Sequence, residues 1–247
     1  MGGQTMDLKP GVPDRVAGIA RAVLGAAPYV GPLLSEVVTE LIPNQRIDRL
    51  AEFVGILNAK VEAVDRARLE SQFRDPEFVD LLEDGFLHVA RAISRERKEY
   101  IASLIANSLS SETLKHCQYK QLLSILRELS DPEVILLHFY SKVGSDDHNE
   151  LMARHAEIIQ GPMLSMGSSP EAFDLLALHE MHKANLQRLG LIRPHFRSPS
   201  RRGEPPEFDS KTGMMSVSHT DITPLGRLLL RSIMLVDATQ QNAVTDL

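Results

Sequence analysis

Two histidines stand in a helical segment at a spacing close to that of a zinc site. His179-Glu180-Met181-His182 resembles the His-Glu-x-x-His helix of zinc proteases, in which histidines four residues apart share one helix face. Here they are three residues apart, and no third ligand follows at a recognisable interval. His182 also falls on a stripe of leucines. We therefore interpret it as a residue at the edge of the core and expect no metal site.

Two other groups contain residue types that can react or bind metal, but each lacks the further residues that such a site needs. Cys117 follows His116, but it is the single cysteine of the chain, so it can form neither an intramolecular disulfide nor a two-cysteine zinc site. Asp146-Asp147 with Glu150 resembles a calcium loop, but the glycine and the terminal glutamate of such a loop are out of register. We expect a protein that is not an enzyme and holds no cofactor.

Composition sets the class of protein. The 247 residues carry a formal net charge of −6 and are 43% hydrophobic and 24% charged, which is typical of one large or two small soluble domains. The chain has no tryptophan, and aromatic residues make up 5% of it, which favours an aliphatic core of helices. The uncharged run 22–35 is too short to span a bilayer, which needs about 20 apolar residues. We expect a cytoplasmic protein.

A basic segment is the clearest candidate binding site. Between Lys183 and Arg202 the sequence has six basic residues and no acid, and such a cluster could contact a phosphate backbone. A solvated, mobile loop is the alternative interpretation, because Glu204, Glu207 and Asp209 follow at once. The candidate nucleic-acid-binding residues are Lys183, Arg188, Arg193, Arg197, Arg201 and Arg202.

A heptad-like stripe predicts the first long helix and a candidate interaction surface. Apolar residues recur there at alternating spacings of three and four, which places them on one helix face. Packing inside a bundle is one interpretation. A seam with a protein partner or with a second copy of the chain is the other. The stripe consists of Ile47, Leu50, Val54, Leu57, Val61 and Val64.

Capping residues predict where further helices begin. Asp75-Pro76-Glu77 and Asp131-Pro132-Glu133 both have an N-cap acid followed by proline in the first turn, and Ser94 is a third N-cap candidate. The predicted helices that follow in the second half of the chain span 131–143, 149–160 and 170–189. In the last of these, the predicted buried stripe comprises Leu175, Leu178, His182, Leu186 and Leu189.

The end of that helix begins a series of elements typical of a winged helix. Gly190 suits a left-handed residue after a helix, Leu191-Ile192 begins a strand, and a return strand follows around Met215 and Val217. Thr223 then caps a last helix. We therefore predict an all-α fold, mainly helical, with a small β-wing: an N-terminal helical bundle plus a C-terminal winged-helix-like module. The predicted divisions are a flexible tail at 1–12, the bundle at 13–118, the module at 119–236 and a flexible tail at 237–247.

The segment 13–42 allows two interpretations. From Val16 to Leu41 its charged residues are Arg21, Glu36 and Glu40, and it is rich in glycine and alanine. Two buried helices would explain this composition. The alternative is a stored segment that disrupts a membrane, and this requires a rearrangement, because a static interfacial helix would carry a basic face.

Four runs of sequence carry a resemblance to a known family. They are Tyr100-Ile-Ala-Ser-Leu-Ile-Ala-Asn-Ser-Leu109, Leu122-Leu-Ser-Ile-Leu-Arg-Glu-Leu-Ser-Asp-Pro-Glu133, Asn185-Leu-Gln-Arg-Leu-Gly-Leu-Ile192 and Ile222-Thr-Pro-Leu-Gly226. Over about residues 75–235 the chain resembles the bacterial abortive-infection alpha family. The resemblance implies an antiphage or phage-linked protein, and it carries over no catalytic residue. We therefore expect a non-enzymatic antiphage defence protein acting through protein contacts, with a nucleic-acid-binding protein and a membrane-disrupting effector as the alternatives.

Overall fold

The computed structural model describes a mostly helical chain with one small sheet. The described residues are 47–62, 64–111, 113–143, 145, 147–197, 207–209, 213 and 215–234. The segment 13–42 and the residues 1–12 and 237–247 lie outside them, so the predictions made there stay predictions. Among the described helices, none is both long and apolar enough to cross a membrane.

The chain divides into two compact units. The N-terminal unit ends at Ser124 and the C-terminal unit begins at Ile125, whereas the sequence placed the division between residues 118 and 119. The difference arises because the division falls inside a helix, where no loop signal marks it. The helices of the described residues are α1 (Ile47–Val61), α2 (Arg66–Gln72), α3 (Pro76–Val89), α4 (Arg95–Ser110), α5 (His116–Glu128), α6 (Asp131–Ser141), α7 (Asp147–Arg154), α8 (Ala156–Gln160), α9 (Pro170–Arg188) and α10 (Pro224–Ser232).

The N-terminal unit is built around the packing of α1, α3 and α4, each of which contacts the other two. Phe53 of α1 and Phe86 of α3 are buried, and their rings meet edge to face with centroids 5.5 Å apart. The aliphatic side chains of α4 complete this core. They are Ile101, Leu104, Ile105 and Leu109.

The predicted stripe of α1 lies in this core, where other helices of the same unit cover it. The stripe ends earlier than predicted, because α1 stops at Val61 and Val64 is half-buried in the following turn. Asp65 then caps α2, its side chain accepting a hydrogen bond from the backbone nitrogen of Arg68 at 3.1 Å. The side chain of Ile47 is outside the described part of the structure. The buried members are Leu50, Val54, Leu57 and Val61.

Of the N-caps predicted at Asp75, Ser94 and Asp131, the first two are confirmed. Asp75 Oδ1 accepts from the backbone nitrogen of Glu77 at 2.9 Å, and Ser94 Oγ accepts from that of Arg97 at 3.2 Å. The third prediction was wrong by one residue, since the N-cap of α6 is Ser130 and not Asp131. Glu133 decides this start, because its carboxylate reaches back to accept from the Ser130 backbone nitrogen at 2.6 Å.

The C-terminal unit surrounds α6, which contacts α7, α8, α9, α10 and the second strand of the hairpin. The hairpin is a two-stranded antiparallel sheet of β1 (Ile192–Phe196) and β2 (Val217–Ile222). Ile192 pairs with Ile222 and His195 with His219. The helix predicted over 149–160 is two helices, broken at His155.

The buried stripe predicted for α9 is partly wrong. Leu186 is buried, but the side chains of Leu175 and Leu178 are 58% and 51% exposed. The buried position in this part of the helix is His179, which lies against Gly161 from the preceding loop. A pattern of leucines in the sequence predicts a face, but it does not tell which part of that face another element covers.

Candidate interaction surface on the C-terminal unit

The junction of α9, the hairpin and α10 positions the candidate site. Gly190 ends α9 with a φ of 70°, the left-handed conformation that the sequence predicted. Thr223, the predicted cap of α10, donates its hydroxyl proton to the Gly190 carbonyl at 2.7 Å and accepts from the Gly226 backbone nitrogen at 3.1 Å. One side chain therefore ties the start of α10 to the end of α9.

Gly226 allows α10 to approach the hairpin closely. A Cβ at this position would lie 2.4 Å from the backbone oxygen of Leu191 and 2.8 Å from Cγ1 of Ile222. The backbone nitrogen of Thr223 also donates to Leu191 O at 2.9 Å. The direction in which the hairpin leaves the unit is thus fixed by backbone contacts at its base.

The predicted basic residues that the structure describes do not form one continuous free patch. Arg188 forms an ion pair with Glu128 and hydrogen bonds with Asn185 Oδ1, and Arg197 pairs with Glu207 at 3.4 Å. Lys183 is half-buried on α9, and Arg193 on β1 is exposed. Arg201 and Arg202 lie outside the described residues. Much of the positive charge at the described positions is therefore balanced within the chain.

A groove runs along the base of the hairpin beside Arg193. Its volume is about 600 Å³, and its walls include Gln187 of α9, Arg193 and Pro194 of β1, and Leu225 of α10. The guanidinium of Arg193 is the charged group of this lining. The groove could accept a short apolar segment that carries an acidic or phosphate group.

The two histidines of the His-Glu-x-x-like motif lie in different environments. Burial, followed by the charge of Lys183, lowers the pKa of His179, and its ring packs on the backbone of Gly161. His182 Nδ1 instead lies 3.4 Å from Glu133 Oε1. His179 is thus packed in the core, and His182 lies beside an acid of the core.

Glu133 is the centre of a buried polar network between α6 and α9. Burial by itself raises the pKa of this carboxyl, but hydrogen bonds from Ser130, Asn185 and His182 outweigh it and hold the pKa below its usual value. Asn185 Nδ2 donates to Oε1 at 2.9 Å, and the Ser130 hydroxyl donates to Oε2 at 2.9 Å. The charge is therefore satisfied inside the unit, and the network is structural.

The other chemical candidates of the sequence lie apart from these groups. Cys117 is exposed on α5. Asp147 is bound by Lys142 at 2.7 Å, and this hydrogen bond lowers the pKa of Asp147. Asp146 is outside the described residues. Asp147 therefore already has a cation as its partner.

The hairpin carries a histidine cluster that the sequence did not predict. Across the described part of the chain, the histidine and acid side chains that lie close enough to share one ion are His195, His219 and Asp221. The pair His219-x-Asp221 could have indicated it, because alternate residues of a strand share a face. His195 is far away in sequence, and only the strand register brings it opposite His219.

An exposed apolar face on α9 is the other feature that the sequence did not predict. Leu175, Leu178 and Met181 are three residues apart, so they share one side of the helix. Their side chains are 58%, 51% and 53% exposed, respectively. We call these three residues the α9 apolar face. Surfaces of this kind mark sites of protein contact.

No protein family, curated protein or solved structure matches this chain in the comparisons made with it.

Proposed function

We propose that this chain is a non-enzymatic antiphage defence protein of the abortive-infection alpha type that acts through protein contacts. The α9 apolar face carries this proposal. Its leucine and methionine side chains are half exposed or more, and the contact of apolar side chains with water is unfavourable. A partner surface that covers them would stabilise the complex by about 25 cal/mol per Å² of apolar surface buried. The four sequence runs that resemble the family support the antiphage part.

The position of the face supports contact rather than chemistry. It lies on the helix that leads directly into the hairpin, and His182 of the same helix lies 3.4 Å from Glu133, an acid of the core. A partner bound there would contact α9 without needing a reactive group of this chain.

Phage challenge of cells that express the chain tests the proposal. We expect fewer plaques than with empty vector across a broad phage panel, and we expect Leu178→Glu with Met181→Glu to abolish this protection. Since both side chains are exposed, the double variant should fold as the parent does, with the same circular dichroism spectrum. Val143→Glu is the matched control, because Val143 is a 62% exposed apolar residue of the same unit outside α9.

Two outcomes would contradict the proposal. Plaque counts equal to those of the empty vector would remove the antiphage part. Full protection by the α9 double variant would remove the α9 apolar face from the mechanism.

A second candidate function is nucleic-acid binding by the hairpin, in the manner of a winged helix. The exposed Arg193 beside the groove favours it, and Lys183, Arg188, Arg197, Arg201 and Arg202 would supply further contacts. Binding should weaken steeply as salt rises, because each phosphate contact releases counterions. Arg193→Glu should weaken it further, whereas Arg91→Glu, a change of an exposed arginine in the N-terminal unit, should not. Equal binding by the two variants would exclude the hairpin.

The membrane alternative concerns residues 13–42, which lie outside the described residues. It stays a prediction, and its test is dye leakage from anionic liposomes by the full chain and by a chain that begins at Pro43. Equal leakage from both proteins would exclude that segment as the cause.

A further inference from the structure

The exposed face of the hairpin carries three side chains whose ligand atoms converge. His195 on β1 and His219 on β2 are paired across the strands, and Asp221 lies two residues after His219 on the same face. His195 Nε2 is 3.0 Å from Asp221 Oδ2, and His219 Nε2 is 3.5 Å from the same oxygen. One ligand atom from each residue falls within 4.8 Å of the others.

We propose that these three residues bind a divalent transition-metal ion of the Zn²⁺ class. Zinc is bound at about 2.0–2.2 Å by imidazole nitrogen and carboxylate oxygen, so the ligand atoms of a tetrahedral site lie about 3.3 Å apart. The two distances to Asp221 Oδ2 bracket that value. Two neutral imidazoles and one carboxylate are also a set of ligands that zinc sites use, with the fourth position left to water or a partner.

A hydrogen bond with Ser218, which is not itself a ligand, orients the His219 ring for metal binding. The Ser218 hydroxyl donates to the His195 carbonyl at 3.2 Å, so its oxygen is available to accept a hydrogen bond from His219 Nδ1, which lies 2.8 Å away. This arrangement keeps the proton of a neutral His219 on Nδ1 and leaves the Nε2 lone pair facing Asp221. Metal-binding histidines are held in this way by a partner on the second nitrogen.

The remaining adjustment is small. The two imidazole rings are stacked with centroids 4.5 Å apart and planes 4° apart, so they must tilt towards each other for both Nε2 lone pairs to meet at one ion. The side chains of His195 and His219 are 43% and 60% exposed, and no core packing opposes such a rotation. Arg193, directly opposite Asp221 in the strand register, is a cation on this face that opposes a bound ion.

The ion would act as a clamp between the two strands. β1 and β2 are connected through a long excursion, and a ligand from each strand would hold their register near its irregularity between His195 and Phe196. Because the ion binds the folded hairpin and not the unfolded chain, its binding raises the stability of the C-terminal unit.

Titration of the untagged full-length chain with Zn²⁺ tests the proposal by isothermal calorimetry. We expect one saturable ion per chain and a rise in the melting temperature of the protein on addition of Zn²⁺. Co²⁺ in place of Zn²⁺ should give the visible absorption of a tetrahedral nitrogen–oxygen site.

The variants separate this site from adventitious binding. His195→Phe, which keeps a ring to stack on His219, and Asp221→Asn should each abolish the saturable binding. Ser218→Ala should weaken it about tenfold, the size typical of a lost outer hydrogen bond. His155→Ala is the control, because the His155 side chain makes no capping hydrogen bond at the start of α8 and lies outside the cluster.

Each result decides the question. Saturable binding that is lost in His195→Phe and kept in His155→Ala supports the site. Binding that is equal in the parent and in His195→Phe, or that shows no saturation, would overturn it. Phage protection is measured separately, so a failure here leaves the proposed function standing.

Discussion

The two units of the chain use their apolar residues differently. Among the described residues, the large apolar side chains that are exposed in the N-terminal unit are Leu87 and Ile93. In the C-terminal unit they occur on the α6–α7 turn, the loop before α9, α9 itself, the hairpin, the segment between its strands and the end of α10. That set is Val143, Met163, Met166, Phe173, Leu175, Leu178, Met181, Phe196, Phe208, Met215, Val217 and Met234.

The difference shows what each unit is suited to do. The N-terminal unit holds itself together by packing aromatic and aliphatic side chains of α1, α3 and α4. The C-terminal unit also has an apolar core, which includes Leu137, Leu186 and Leu229, and polar and backbone contacts at Glu133, Thr223 and Gly226 join its elements. Among the described residues, it differs by leaving more large apolar side chains exposed, and these are available for a partner.

The largest difference in the effect of a substitution on stability is expected between two leucines. Leu104 in α4 is fully buried, so Leu104→Ala removes apolar contacts and leaves a cavity, at a cost of about 3–4 kcal/mol in the free energy of unfolding. Leu178→Ala at an exposed position should change it by less than about 0.5 kcal/mol. Denaturant unfolding of both variants measures this. A large loss in Leu178→Ala would mean that the α9 apolar face is covered in solution.

Two glycines should respond to alanine with opposite signs. Gly226→Ala places a methyl group against a backbone oxygen that cannot move aside, and we expect a loss of about 2 kcal/mol. Gly55 lies in α1 with nothing within 4 Å of its Cβ position, so Gly55→Ala should raise stability by about 0.5–1 kcal/mol through helix propensity. Thermal unfolding of the two variants compares them. Equal effects would show that α10 does not approach the hairpin as closely as described.

A smaller effect is expected at Glu133, and it depends on pH. The folded state lowers the pKa of this carboxyl below its ordinary value of 4.5, so the unfolded state binds the proton more readily. The stabilisation is therefore complete above pH 4.5 and is lost as the pH falls through the lowered pKa. Glu133→Gln should lower the free energy of unfolding by about 1 kcal/mol at neutral pH. The difference in this free energy between the variant and the parent should shrink below pH 4.5.

Unfolding curves recorded across that pH range check the prediction. Glu150→Gln is the control, because Glu150 is exposed on α7 and pairs there only with Arg154 among the contacts that the structure describes. If the difference in the free energy of unfolding between Glu133→Gln and the parent stays constant with pH, the charge of Glu133 does not contribute to stability.

The sequence predicted features that depend on neighbouring residues. The caps at Asp75, Ser94 and Thr223 and the left-handed Gly190 follow from local hydrogen bonds and backbone sterics, and all were found. The mostly helical class with a small hairpin was also confirmed. Winged-helix packing stays a proposal.

What the sequence could not predict depends on residues that meet only in the fold. The ion pairs of Arg188 with Glu128 and of Arg197 with Glu207 join residues that are distant in sequence, so the basic segment alone did not predict them. The cluster of His195 with His219 likewise required the strand register. The exposure of Leu178 was missed because periodicity predicts the face of a helix and not the element that covers it.

Thiol labelling at two positions of α9 tests most directly whether its apolar face is open. Cys117→Ser removes the native thiol, after which Leu178→Cys and Leu186→Cys each place a single thiol on the same helix. Leu178 is 51% exposed and Leu186 is fully buried. We predict that a maleimide reacts at position 178 at the rate of a free thiol, whereas reaction at 186 waits for unfolding. Equally slow reaction at both positions would contradict the account.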